Sequence, residues 1–167
     1  MPDHIATPGQ TVGPFFHYAL PFPGDRELVR RGSAGAVRLH GYVFDGAGNG
    51  VPDALLELRQ ADPHSVVPEV EGSLRRDGAA FTGWGRSTTD PTGHYWFSTL
   101  EPPDFFAITI FARGLLNRLF TRIYLPEGAP DGSSTMVAAR EPDGGLRFDV
   151  HLQGERETVF LTYPGHQ

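Results

Sequence analysis

The sequence predicts an all-β chain: an antiparallel β-sandwich of residues 25–167, entered through an irregular N-terminal arm of residues 1–24. Seven short segments rich in β-branched and aromatic residues are separated by turn signals, the spacing expected of a sandwich. The chain holds 21 glycines and 15 prolines, a density that marks many turns. Only one short stretch, 133–140, reads as helical, with Asp131 or Ser133 as its cap.

The elements follow in order. The arm carries Phe15, Phe16, Tyr18 and Phe22 among its prolines. Water hydrates so many aromatic rings unfavourably, so the arm is expected to pack on its own domain or on a partner. Val37, Leu39, Gly41 and Val43 alternate with Arg38, His40, Tyr42 and Phe44, a half-buried strand. The turn 45–50 supplies glycines for positive φ, and 54–60 returns as the second arm of a hairpin. Residues 61–83 lack periodicity and read as a long loop. Asp90-Pro-Thr-Gly93 is a turn signal, and His94 begins the strand after it. The apolar run 105–112 has the composition of a strand buried on both faces. Further strands are expected at 121–125, 146–153 and 157–162.

Composition narrows the function. At 167 residues the chain suits one domain. Without cysteine it has no disulfide and no thiolate metal site, which fits a reducing compartment. Its formal net charge of −6 and lack of a basic run argue against a nucleic-acid phosphate site. The N-terminal stretch lacks the basic end and apolar core of a signal peptide, and no apolar run approaches the ~20 residues of a membrane span. The expectation is a cytoplasmic protein.

Self-contained chemistry is scarce. The seven histidines (4, 17, 40, 64, 94, 151, 166) form neither His-x-His nor His-x-x-x-His, so no local pair presents two imidazoles on one face. There is no Gly-x-Ser-x-Gly elbow and no phosphate-binding glycine loop before a helix. Arg113 stands out because it follows a strand expected to be buried. Such a guanidinium usually has an anionic partner, either a carboxylate of the same chain or a bound ligand.

Several segments, in order, resemble one family. They are Thr7-Pro-Gly-Gln-Thr-Val-Gly-Pro-Phe15, Leu56 to Asp62, Gly85-Arg-Ser-Thr88, Thr109 to Gly114, Thr121-Arg-Ile-Tyr124, Arg147 to Gly154 and Glu157-Thr-Val-Phe160. Together they are similar to the intradiol ring-cleavage dioxygenases, and within that family to the alpha subunits of the enzymes acting on protocatechuate. The resemblance implies a sandwich of the intradiol dioxygenase type and a hetero-oligomer with an iron-bearing protocatechuate 3,4-dioxygenase beta subunit. That complex cleaves protocatechuate with O2 between its hydroxylated carbons, giving 3-carboxy-cis,cis-muconate. Catalytic subunits hold Fe(3+) with two tyrosines and two histidines. Here the matching places are Val67, Phe105, Ala107 and a position within 101–104 that holds no tyrosine. The resemblance therefore implies that this chain binds no metal and that the cofactor sits on the beta subunit. It also implies substrate-contacting roles for Thr11, Gly13 and Pro14, which would line a wall of the partner's site, and for Arg113, which would face the substrate carboxylate. The chain departs from the alpha-subunit pattern at Asp104-Phe-Phe106. Two other readings stay open on the residues alone: a ligand-binding sandwich that needs no partner, and a metalloenzyme assembled from scattered histidines.

Overall fold

A computed structural model describes residues 20–69 and 80–163. Nine strands appear among them: β1 Val37–Phe44, β2 Leu55–Arg59, β3 Trp84–Thr88, β4 His94–Thr99, β5 Phe105–Phe111, β6 Leu119–Tyr124, β7 Ala139–Arg140, β8 Leu146–Arg147 and β9 Val150–His151. They form two sheets. One runs β4-β1-β8-β7 with β9 also paired to β1; the other runs β3-β2-β5-β6. Pairing is antiparallel except where β8 and β9 lie parallel to β1. No helix among the described residues is long and apolar enough to cross a membrane.

Period-two alternation builds the core. Leu39 and Val43 of β1 and Tyr95 and Phe97 of β4 meet Leu56 and Leu58 of β2, Phe106, Ile108 and Ile110 of β5 and Ile123 of β6, all essentially inaccessible to water. Each such side chain contributes about 1.5–3 kcal/mol on burial. The end of the arm and the segment after it pack on this sandwich. Leu28 is fully buried and its N–H donates to the Ser98 carbonyl at 2.8 Å, while Phe22 lies parallel to the Trp84 ring. Residues 1–19, including Phe15, Phe16 and Tyr18, lie outside the described residues.

Several expectations need correction. The turn at 45–50 does not close a hairpin between paired strands. Asp45 caps it through the Ala47 and Asn49 N–H groups, and the chain then leaves β1's sheet so that β2 pairs with β3 and β5. β5 is buried on one face only: Phe106, Ile108 and Ile110 point inward, while Phe105, Ala107, Thr109 and Phe111 are half-buried on the outer face. The stretch 133–140 holds a single 3-10 turn, Ser134–Met136, and then β7. Ser133 does not cap it; its hydroxyl donates to the Pro130 carbonyl at 2.6 Å. Residues 157–162 form no strand, although the Leu161 N–H donates to the Phe120 carbonyl and the Thr121 hydroxyl to the Val159 carbonyl. These bonds cover the β6 edge, which would otherwise present unpaired backbone.

The segment expected as one strand over 146–153 is two short ones, and its interruption is a built feature. β8 and β9 keep the same register along β1, but between them the Phe148 carbonyl accepts the Tyr95 hydroxyl at 2.6 Å and the Asp149 carboxylate accepts the Tyr42 N–H at 3.0 Å. Gly41 makes room: a Cβ there would collide with the Phe148 carbonyl. Burial pushes the Tyr95 phenol far above its ordinary pKa, so it serves only as a neutral donor. Tyr95→Phe leaves a buried carbonyl short of its donor and is expected to lower stability by about 1–3 kcal/mol. Urea unfolding checks this, with a lower midpoint and an unchanged slope.

Candidate functional site

Two regions of the four-stranded sheet bear on function. The first is a cavity of about 320 Å³ at the start of β5, lined by Val67, residues 102–104, Phe105 and Ala107, with Arg59 of β2 and Gln60, Ala61 and Ser65 after it. The fold thus brings to one place the positions that the family resemblance assigns to the iron ligands, although they lie far apart in the sequence. The donor set there does not suit iron. Ferric iron takes hard anionic oxygens and imidazoles, whereas Val67, Pro102, Pro103, Phe105 and Ala107 offer no side-chain donor. The Gln60 amide is committed elsewhere: its Oε1 accepts the Thr99 hydroxyl at 2.6 Å and its Nε2 donates to the Leu100 carbonyl at 2.9 Å. Asp104 alone supplies a carboxylate, and it is exposed. Among the described residues no group of three or more His, Cys, Asp or Glu is arranged to hold a metal ion.

The second region is the turn between β5 and β6. Ala112 is anchored in the core, and the Leu115 N–H donates to the Ala112 carbonyl at 3.2 Å. Gly114 takes the positive φ of 87° that this tight reversal needs. Arg113 sits at the tip and is exposed, so β5's burial does not extend to it. No carboxylate of the described residues lies within ion-pairing distance of Arg113. Other arginines of the chain are paired: Arg86 with Glu57, Arg140 with Glu101 and Glu127, and Arg147 with Asp149. Leu116, in the same turn, is 63% exposed, and Val159 and Tyr163, beside β6, are also exposed. Thr11, Gly13 and Pro14 lie outside the described residues.

One polar cluster is invisible in the sequence. On the other sheet His40 Nδ1 lies 3.3 Å from His94 Nε2, and His40 Nε2 lies 2.8 Å from Glu141, which also accepts from Arg38 at 3.0 Å. Burial, then the neighbouring His40, pulls the His94 pKa down, and the His40 contact holds the Glu141 carboxyl below its usual range. These residues are 54 and 101 positions from His40. Only the antiparallel pairing of β1 with β4, and the return of the chain through β7 and β8, brings them together. They tie the two ends of the sheet and offer no open metal position.

No protein-family model matches the chain. Curated relatives do. A protocatechuate 3,4-dioxygenase alpha chain of Burkholderia cepacia is 33% identical over 191 aligned positions, covering 93% of this chain and 96% of that protein. One from Pseudomonas putida is 31% identical, covering 94% and 96%. Among solved structures, the dioxygenase domain of a carbohydrate-binding fusion protein from Streptomyces sp. SirexAA-E superposes with a TM-score of 0.59 at 24% identity, covering 89% of this chain and 98% of that one. That likeness establishes the fold, and the sandwich is the intradiol dioxygenase sandwich. With near-complete coverage at about one-third identity to both curated relatives, the chain belongs to the protocatechuate 3,4-dioxygenase alpha-chain family.

Proposed function

We propose that this chain works as the iron-free subunit of a cytoplasmic protocatechuate 3,4-dioxygenase, paired with a beta subunit that holds Fe(3+) and cleaves the ring with O2. The observation that carries the reading is the cavity at the start of β5. The positions that would ligate iron converge there, yet they are occupied by Val67, Phe105, Ala107 and a proline-rich turn. A pocket whose side-chain oxygens are limited to the Ser65 hydroxyl, a committed Gln60 amide and the exposed Asp104 carboxylate, with no imidazole and no phenol, leaves ring cleavage to a partner. Arg113 supports the reading, being held on a firm turn, exposed and without a carboxylate partner among the described residues. So do the exposed apolar side chains of Leu116, Val159 and Tyr163 around the β6 edge, which a partner would cover.

The role is to complete the partner's pocket. Arg113 supplies a permanent positive charge for the substrate carboxylate. Gly13 and Pro14, with Thr11, form a wall that a planar ring can approach closely, one residue lacking a side chain and the next being rigid. The iron chemistry belongs to the beta subunit, and no step of it passes through a side chain of this chain. Two diverged copies of one sandwich pack naturally about a pseudo-twofold axis, with the 1–24 arm laid across the junction. An obligate interface of this kind buries more than ~2,000 Å².

Co-expression with the protein encoded beside it tests the reading. The expected result is co-purification in fixed ratio and ring cleavage of protocatechuate that neither chain shows alone at a comparable rate. A chain that stays monomeric and soluble with its partner present would contradict it.

A further inference from the structure

The polar cluster on the five-stranded sheet crosses it from side to side. The strand order is β4-β1-β8-β7, with β4 and β7 at opposite ends. His94 opens β4, His40 lies in the middle of β1, and Glu141 follows β7 at the turn into β8. His94 also belongs to the last pair of the β1–β4 ladder, Tyr42 with His94, where a ladder frays first. His40 is buried and its carbonyl accepts the Phe148 N–H at 2.8 Å, so its backbone is tied to the chain between β8 and β9.

The contacts fix how many protons the cluster holds. An ionised carboxylate only accepts, so His40 Nε2 donates to Glu141 at 2.8 Å. His40 Nδ1 and His94 Nε2 then face each other at 3.3 Å, and one must donate while the other accepts. The pair tolerates one excess proton, because the charged ring can donate to the lone pair of the other. A second excess proton sets two N–H groups head on and places like charges on rings whose centroids are 5.5 Å apart. The surroundings offer His94 no replacement. The Asp90 carboxylate is occupied by the Thr92 and His94 backbone N–H groups and the Thr92 hydroxyl. Tyr42 meets the His94 ring by its own ring, and Arg38, paired with Glu141 and Asp143, adds positive charge. Burial first, then His40, holds the His94 pKa low; Arg38 and Arg26 act the same way and Asp90 opposes them.

We propose that His94, His40 and Glu141 form a pH-responsive latch across the five-stranded sheet, closed while the two rings share a proton and opened when both are charged, which frees the β4 side of the sheet.

The direction follows from linkage. An unfolded histidine takes up its proton near pH ~6.5, before the folded His94 does. Stability is therefore lost as pH falls from about 6.5 toward the lowered His94 value, and levels off below it. His151, also held low by burial and then by Arg156, titrates against Phe44 elsewhere on the sheet and contributes equally to wild type and to a His94 variant.

Hydrogen exchange of the assembled enzyme, read by mass spectrometry and corrected for the intrinsic rate at each pH, tests the latch. Wild type is compared with His94→Gln, whose amide can donate to His40 Nδ1 and does not titrate. In wild type, protection of β1 and β4 should fall by about three- to tenfold between pH ~7 and ~5, as loss of one hydrogen bond implies. β2 and β5 of the other sheet should keep theirs, and His94→Gln should show no such step. If that variant does not assemble, His40→Gln, which keeps a donor for Glu141, should likewise abolish the step. An equal step in wild type and variant, a step shared by both sheets, or a step only below pH ~4.5, where carboxylates titrate, would overturn the proposal. None of these outcomes bears on the dioxygenase-subunit reading, which depends on assembly and ring cleavage.

Discussion

Arg113→Ala is expected to raise KM for protocatechuate by about 10- to 150-fold in the assembled enzyme, the equivalent of one charge-assisted hydrogen bond of ~1.5–3 kcal/mol. Protocatechuate differs from catechol by one carboxylate, and a site that prefers the acid must match that charge or leave it desolvated and unpaired. A guanidinium held on a turn anchored by Ala112 and Leu115 meets the need with little reorganisation. The competing account, an ion pair within the chain, has no partner among the described residues, and Arg113 is exposed. Its removal should therefore change stability by no more than about 0.5 kcal/mol, as for other surface substitutions. Kinetics on protocatechuate and catechol, with a melting curve alongside, separate the two accounts. Loss of discrimination with an unchanged melting temperature supports the carboxylate contact. Lost stability or assembly with unchanged discrimination supports the ion pair. If the contact also orients the ring for oxygen attack, kcat falls as well.

Gly41→Ala is expected to be the most damaging single methyl addition in the sandwich. Gly41 does not need an unusual φ; it needs space, because the Phe148 carbonyl occupies the position of a Cβ. That carbonyl is fixed from two directions, by the Tyr95 hydroxyl and by the parallel pairing of β8 and β9 with β1. The methyl can be accepted only if the crossing strand lifts away, breaking the Tyr95 bond and the Asp149 contact to the Tyr42 N–H. Overpacking alone costs about 1–3 kcal/mol, and each broken buried hydrogen bond adds about 1 kcal/mol. A loss of about 3 kcal/mol or more corresponds to a fall of roughly 6–12 °C in Tm for a chain of this size. Gly128→Ala is the control: nothing lies within 4 Å of its added carbon, and its Tm should move by no more than about 2 °C. Calorimetry of both variants checks the contrast, and equal shifts would refute the steric account.

The parts of the fold legible in the sequence were those governed by local pattern. β1 alternates Leu39, Gly41 and Val43 with polar neighbours, and β4 follows a strong Asp-Pro-Thr-Gly turn. β3 carries no such pattern. Its inward residues include Gly85, small because Leu28 packs onto it, so the buried face of Trp84–Thr88 does not look apolar. β5 reads as doubly buried because Phe105 and Phe111 are aromatic, yet both lie on the outer face. Strand partners were less legible still. The turn after β1 looks like a hairpin, but hydrophobic residues on β2 satisfy the opposite sheet, and nothing local records that choice.

The site divides in the same way. Val67, Phe105 and Ala107 could be singled out only through family resemblance, since an absent ligand leaves no positive signal in one sequence. The His40–His94–Glu141 cluster depends on cross-strand register, which is a property of the folded sheet.

Iron stoichiometry of the purified assembly tests the central claim most directly. With Val67, Phe105 and Ala107 at the ligand positions, this chain should contribute no iron site, and the complex should contain one iron for each pair of unlike subunits. Separated from its partner, the chain should be colourless and free of stoichiometric iron. Two irons per pair, or a tyrosinate-to-iron charge-transfer band in the isolated chain, would contradict the account.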